Sequence, residues 1–466
     1  VLTNDAPAPH CAPFARWTPT DEGYRTTIQP YNEAAAPGRP RYIAVPKTTE
    51  QVLEVITRAH ADGLGVSVHS TGHDFEGRSL SGDVVLHLGA FTHAAYDPAR
   101  DILTVGGGAR VHDINQVLAR HGRAISTGTN QDVGITGLTL GGGAAYTSRL
   151  HGLTCDALVE VELCTFAGEK LWVNDHSDPQ LMRLLRGGGG GRFGVITELK
   201  FNTYAMTPVT KFSAHWAASA GATHLAELEN LLVTAPRELS MRVGANVTGP
   251  ERTTTITLSG QVQGGNEALL AKHFGAFSRA PSWTHETLPY YEAMAGALHQ
   301  TSGGSFKIKS RFALRPVGQH GLAEMLARLD AWTPTRNADG AGFGLFAWGG
   351  RIRDFSEASS CMPGRAAEYL ASFDAAWTPQ DADADVEAQL RWVGELDAVA
   401  AGHLSDLSYI NFPDSDDGRF DARHLLPALP EIKAAQGLHD PFGVGRHTSR
   451  CAQTPGRAST IAGGQG

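Results

Sequence analysis

His69-Ser70-Thr71-Gly72-His73-Asp74-Phe75-Glu76-Gly77-Arg78-Ser79 is a histidine-bearing stretch punctuated by glycine. The residues ahead of it, Leu64 to Val68, predict a short buried strand, since Leu and Val fill it and Gly63 and Gly65 mark its start. Gly72 and Gly77 lack a Cβ, so a large planar ligand has room to approach the backbone around His73. Two other readings stay open on these residues alone. A loop histidine is ordinarily a solvated side chain, and His69 and His73 stand four apart, the spacing that puts two metal ligands on one helix face. The metal reading requires a helix, and Ser70-Thr71-Gly72 between the histidines opposes one.

Working outward, 466 residues are enough to bury a large core and predict two domains. A net charge of −9 argues against nucleic acid as the main partner. A charged fraction of 19% with 54 glycines describes a loop-rich folded chain and not a disordered one. No apolar run approaches bilayer-spanning length, so the expectation is a soluble protein without a membrane partner, cytoplasmic or secreted. The chain begins at Val1 without a signal-peptide core, which suits a processed or trimmed form. The cysteines Cys11, Cys155, Cys164, Cys361 and Cys451 are scattered with no Cys-x-x-Cys, which opposes a metal cluster. Cys11 and Cys451 lie near the chain ends and pair if the ends meet in an exported protein; free thiols are an equal reading.

Residues 1–37 read as an irregular surface arm. Arg41 to Pro46 predicts a strand, and Thr48-Thr49-Glu50-Gln51 opens a helix that carries Val52, Val55, Ile56 and Ala59 on one face. Asp83 to Leu88 and Ile102 to Val105 predict strands, followed by a helix over about Val111 to His121. Gly189 to Gly194 matches G-x-G-x-x-G, but the β-branched Val195 to Phe201 behind it predicts a strand where a Rossmann site needs a helix. No P-loop motif occurs. The run Gly134 to Gly143 reads as too glycine-rich for regular structure; successive backbone N–H groups there suit a pyrophosphate, or the run is a tight packing turn. Beyond residue 206 the texture changes. Arg252 to Ser259 and Phe343 to Trp348 predict strands, while His320 to Trp332, Ala366 to Trp377 and Val386 to Ala400 predict helices, together an antiparallel sheet backed by helices. Leu407 to Phe412 predicts a strand, Pro427 to Gln436 a short helix, and the tail from Thr454 disorder.

With these segments placed, the chain resembles the FAD-linked oxidases of the vanillyl-alcohol oxidase superfamily, in the berberine-bridge-enzyme-like branch, over roughly Pro40 to Cys451. Four motifs in order carry the resemblance: the His69 to Ser79 stretch, Val133 to Gly143, Leu185 to Thr197, and Tyr409-Ile410-Asn411. It implies an α+β fold: an arm over 1–37, a two-part FAD-binding domain of the PCMH type over 38–205, and a substrate domain over 206–407 whose antiparallel sheet is backed by helices. A C-terminal element over 408–455 returns to the FAD domain, and 456–466 form a flexible tail. The family histidine bonds covalently to the 8α carbon of FAD, and His73 inherits that role. Ser70, Thr71, Gly72, Asp74, Gly77 and Ser79 are expected around the cofactor. So are Asn130, Val133, Gly134, Gly137, Leu138, Gly141, Gly142, Gly143, Gly194, Val195, Tyr409 and Asn411.

The departures from the family pattern carry information. Many members attach FAD a second time through a cysteine, and Asn130 stands there, so His73 is expected to be the single covalent tether. His69 and Thr71 replace Arg and Gly, Arg192 replaces Asn, and Pro363-Gly364-Arg365 stands for Pro-His-Arg. The resemblance implies hydride transfer from an alcohol or amine carbon of a bulky secondary-metabolite or sugar-derived substrate to flavin N5. Tyr409 is then the catalytic base, or a residue that only packs beside the flavin. Val133 marks oxygen-reactive members, so O2 is expected to reoxidise the flavin and give hydrogen peroxide. Oxidative cyclisation, desaturation or rearrangement is the alternative outcome, and a non-catalytic flavin-binding protein the third.

Overall fold

The computed structural model describes residues 13–295, 304–416 and 418–447. Its first sheet has four strands. Ala15–Trp17 pairs antiparallel with Tyr42–Val45, and both Tyr42–Val45 and Val66–His69 run parallel to Val84–His87 between them. The helix Thr49–Ala61 makes the crossover. Its start is fixed by the Thr48 side chain, which accepts the Gln51 N–H at 3.3 Å. Val52, Val55, Ile56 and Ala59 lie buried on one helix face against Val66, Val84 and Leu86, the spacing that the sequence predicts.

The second sheet is antiparallel, in the order Ala94–Asp97, Ile102–Gly106, Gly194–Asn202, Leu158–Thr165, Lys170–Asn174. The strand Gly194–Asn202 follows the Gly189 to Gly194 turn directly, in agreement with the rejection of a Rossmann helix there.

The third sheet has seven antiparallel strands, in the order Thr284–Leu288, Val209–Ala217, Thr253–Gln263, Leu239–Thr248, Ala341–Ala347, Tyr369–Trp377, Ser305–Ala313. Its two faces are set by alternation. Val243, Phe343, Leu345, Tyr369 and Phe373 are buried under the helices Gly221–Val233, Gly318–Leu329 and Asp383–Ala401. Ser240, Phe346 and Leu370 fall on the opposite face. Burying a large apolar side chain stabilises by roughly 1.5–3 kcal/mol, so a one-residue slip that turned Phe343 and Leu345 outward is strongly disfavoured.

Four expectations are corrected. Tyr369–Trp377 is a strand and not part of a helix: its buried Tyr369, Ala371, Phe373 and Ala375 recur every second residue, and ladders on both edges override the helix preference of alanine. Ile135–Leu140 is a short helix inside the glycine run, because Gly137 is its sole interior glycine and Ile135 and Leu140 bury themselves in the core. Leu407 to Phe412 is not a strand; the Phe412 N–H folds back to the Tyr409 carbonyl at 2.9 Å, and Ser408 and Tyr409 bond to Ser310. The N-terminal arm carries the strand Ala15–Trp17 and the helix Glu22–Thr27. Cys155, Cys164 and Cys361 are buried free thiols; Cys11, Cys451 and the tail from Thr454 lie outside the described residues. Among the described residues no helix is long and apolar enough to cross a membrane.

Candidate functional site

A cavity of about 440 Å³ opens where the three sheets meet. Ser70, Thr71, Gly72, His73, Asp74 and Ser79 line it from the loop after Val66–His69. Asn130, Val133, Gly134, Gly137 and Leu138 line it from the start of the Ile135–Leu140 helix, Gly194 from the second sheet, and Tyr409 and Asn411 from the C-terminal segment. Five expected cofactor residues lie off this lining. Val195 is fully buried in the core of the first sheet, because its strand alternation turns it away from the cavity. Gly77, at φ 67°, supports the turn Arg78–Leu80. Gly141, Gly142 and Gly143 sit behind the cavity wall: a Cβ on Gly141 would strike the Asn411 amide, and one on Gly142 would stand 2.8 Å from the Met362 sulfur.

The loop holding His73 is fixed from several sides. The Ser70 hydroxyl donates to the Gly107 carbonyl at 2.8 Å. Asp74 accepts the Glu76 and Arg78 N–H groups at 2.9 and 3.0 Å and pairs with the Arg78 guanidinium at 2.7 Å. Burial works against the Asp74 carboxylate, but Arg78 outweighs it and holds the pKa below the ordinary value. The His73 ring stacks on Tyr31, centroids 3.6 Å apart. Tyr31 is set in place by its neighbour: the Asn32 amide donates to the Phe75 and Phe306 carbonyls, both at 2.9 Å. Burial lowers the His73 pKa, so the ring stands neutral near pH 7, and its Nε2 is buried without a hydrogen-bond partner.

His69 ends a strand, so the i, i+4 metal geometry does not form; it stacks on His87 with centroids 5.1 Å apart. Burial, reinforced by His87, pushes His69 down to about 3.

Tyr409 is 3% exposed. Its hydroxyl oxygen accepts the Gly143 and Ala144 N–H groups at 3.1 and 3.0 Å and the Asn411 amide at 3.1 Å. Burial still pushes the phenol up to about 12. Asn411 also donates to the Leu138 carbonyl at 3.1 Å, tying the C-terminal segment to the glycine run.

Arg192 is 2% exposed beside the cavity-lining glycines 189–191. Its Nη2 donates to Asp421 at 3.0 Å, while Nε and Nη1 are buried with no partner. His447, which lines the cavity, likewise has a buried, unpartnered Nδ1. Buried donors of this kind cost free energy unless a ligand or water meets them. An elongated anionic cofactor fits: the neutral His73 faces one group of loops, and the orphaned Arg192 donors stand among the glycines that follow.

Residues 40–174 match the family model for an FAD binding domain. The chain is 24% identical over 422 residues to an uncharacterized FAD-linked oxidoreductase of Bacillus subtilis, covering 87% of this chain and 90% of that one. Its fold is that of the berberine-bridge-enzyme-like proteins. Against wild-type BBE-like 1 of Physcomitrella patens the TM-score is 0.83 at 22% identity, over 94% of this chain and 96% of that one. Against glucooligosaccharide oxidase from Acremonium strictum, which carries 6-S-cysteinyl, 8α-N1-histidyl FAD, the TM-score is 0.84 at 21% identity, covering 93% and 95%.

Several residues at or behind the cavity wall escape the sequence reading. Tyr146 follows the glycine run by three residues, a proximity that marks it once the run is known to border the cavity. Arg446 and His447 reach the cavity because the Arg446 N–H pairs with the Val66 carbonyl at 2.7 Å. Tyr31 sits in the arm, where no periodicity singles it out.

Proposed function

We propose that this chain, an FAD-linked oxidoreductase, is a mono-covalent oxidase of an alcohol or amine carbon in a bulky secondary-metabolite or sugar-derived substrate. The observation that carries the reading is His73: a neutral imidazole with a buried, unpartnered Nε2, held by a stacked tyrosine on the wall of the cavity. Bound there, FAD would supply a hydride acceptor at N5 and, once reduced, reactivity toward O2 with hydrogen peroxide as the product.

The chain's own residues do the rest. His73 in its neutral form has a free nitrogen lone pair, the form needed to make the tether. Asn130, an amide at the lining, cannot form a thioether, so His73 is the single attachment. Arg192 and His447 offer their unpartnered donors to the cofactor's diphosphate. Tyr409 takes the substrate proton in its phenolate form, which the N–H groups of Gly143, Ala144 and Asn411 stabilise. Apolar side chains around the front of the cavity exclude water. In this reading residues 38–205 serve as the cofactor domain, 206–407 as the substrate domain, and the described part of the C-terminal element 408–455 returns Tyr409 to the flavin.

Mass spectrometry of the tryptic peptide that carries His73, with the acid-precipitated protein inspected for colour, tests the reading. A yellow pellet and an FAD mass increment on His73 are expected, both lost in His73→Ala. A colourless pellet with an unmodified peptide overturns the covalent assignment.

A further inference from the structure

The cavity is built asymmetrically. Its charged side chains, Asp74, Arg78 and Arg446, and its histidines His73 and His447 all come from the loops around the first two sheets. The facing wall, from the seven-stranded sheet and the turn after its strand Ala341–Ala347, presents Ser240, Met241, Phe346, Ala347, Trp348 and Leu370. None of these ionises. Phe412 extends the wall, its ring 6.1 Å from Phe346 and 6.2 Å from Phe75. Within it one donor stands out: the indole Nε1 of Trp348 is buried without a hydrogen-bond partner, on a side chain 1% exposed.

A sugar chain placed against this surface would bury several hydroxyls with little to meet them. Each buried hydroxyl left unsatisfied loses its hydrogen bonds to water with no return. The nearest charge on that face, Arg242, packs against the Phe346 ring 5.2 Å from its centroid and lies off the lining, so a charged substrate group on the lining itself meets no counter-charge and loses its hydration. A planar ring system has no such groups to satisfy and gains from every part of its apolar surface that it buries. A single acceptor on it would meet the Trp348 N–H.

Resting on the FAD-oxidase reading above, we propose that the substrate is an uncharged, planar polycyclic alcohol with a carbonyl or ether oxygen that accepts the Trp348 indole N–H, and not an oligosaccharide.

The test is an anaerobic titration of the flavin-loaded protein, reading the shift in its visible flavin absorbance. Three probes are used: 1-(hydroxymethyl)anthraquinone, which has acceptors, 9-anthracenemethanol, which has none on its rings, and cellobiose. Both ring probes are expected to perturb the flavin band at least about 100-fold more tightly than cellobiose. Trp348→Phe should weaken the anthraquinone by about tenfold, equivalent to about 1.4 kcal/mol, and leave the anthracene within about twofold. Phe346→Ala should weaken both ring probes and serves if the tryptophan variant does not fold. Cellobiose binding as tightly as the ring probes, no response to any probe, or equal losses for both ring probes in Trp348→Phe would each overturn the proposal. A protein isolated without flavin fails the earlier reading instead, before any probe is added.

Discussion

Tyr409 holds two opposing influences at one atom. Three N–H groups point at its oxygen, an environment that favours phenolate, yet its burial leaves the pKa near 12. A base of that pKa is almost wholly protonated at neutral pH, and its active fraction grows tenfold per pH unit. Flavin reduction is therefore expected to accelerate with pH from 7 to 10 without a plateau, measured by anaerobic stopped-flow. Tyr409→Phe should lower the rate by roughly 10²-fold or more and flatten the profile. A plateau at pH 7 to 8, or a retained slope in the variant, would show that Tyr409 is not the base. The single letters that were legible, His73, Asn130 and Tyr409, stand in motifs with fixed neighbours. Tyr31 was not, since its place comes from Asn32 clamping two distant carbonyls, a contact that no local pattern encodes.

The segment after Tyr409 shows why elements differ in legibility. Helix Thr49–Ala61 and strand Gly194–Asn202 declare themselves through a hydroxyl cap, a 3.6-residue stripe and a β-branched run. Leu407 to Phe412 carries the same apolar, aromatic texture as a strand but is shaped by tertiary ion pairs just beyond it. Asp414, 1% exposed at its side chain, contacts Lys309 at 2.7 Å, Lys307 at 3.1 Å and Arg423 at 3.1 Å. Burial opposes its charge, but the two lysines win and hold the carboxyl well below the ordinary range. For a carboxylate depressed in this way, the stabilisation is fully present above its unfolded value near 3.9 and is lost as pH falls below it. Asp414→Asn removes the buried carboxylate these cations share, while Lys307 and Lys309 keep Asp416 and Arg423 keeps Asp397, so a loss of about 1.5–3 kcal/mol is expected in denaturant unfolding. Unchanged or raised stability would show that these ion pairs do not hold the segment.

At the scale of the molecule, buried neutral histidines set an acid limit. Burial pushes His69 down to about 3, and His87 and His424 down to about 4. Unfolded, each titrates near 6.5. Between about pH 6.5 and 4 the unfolded chain therefore binds more protons than the folded one, and stability present above that window drains away as pH falls through it. Each group contributes up to about 1.4 kcal/mol per pH unit there, so three acting together give a steep fall. General charge repulsion adds to the fall below the pI near 6.1, where the net charge turns positive, so the contribution of the imidazoles is isolated by a variant that removes one of them. The melting temperature is expected to decline from pH 6 to 4.5, while the ordinary carboxylates are still mostly ionised. In His424→Gln the decline should be shallower, since one buried imidazole no longer takes up its proton on unfolding. A melting temperature level from pH 7 to 5, or an unaltered slope in that variant, would mean that these rings gain no protons on unfolding.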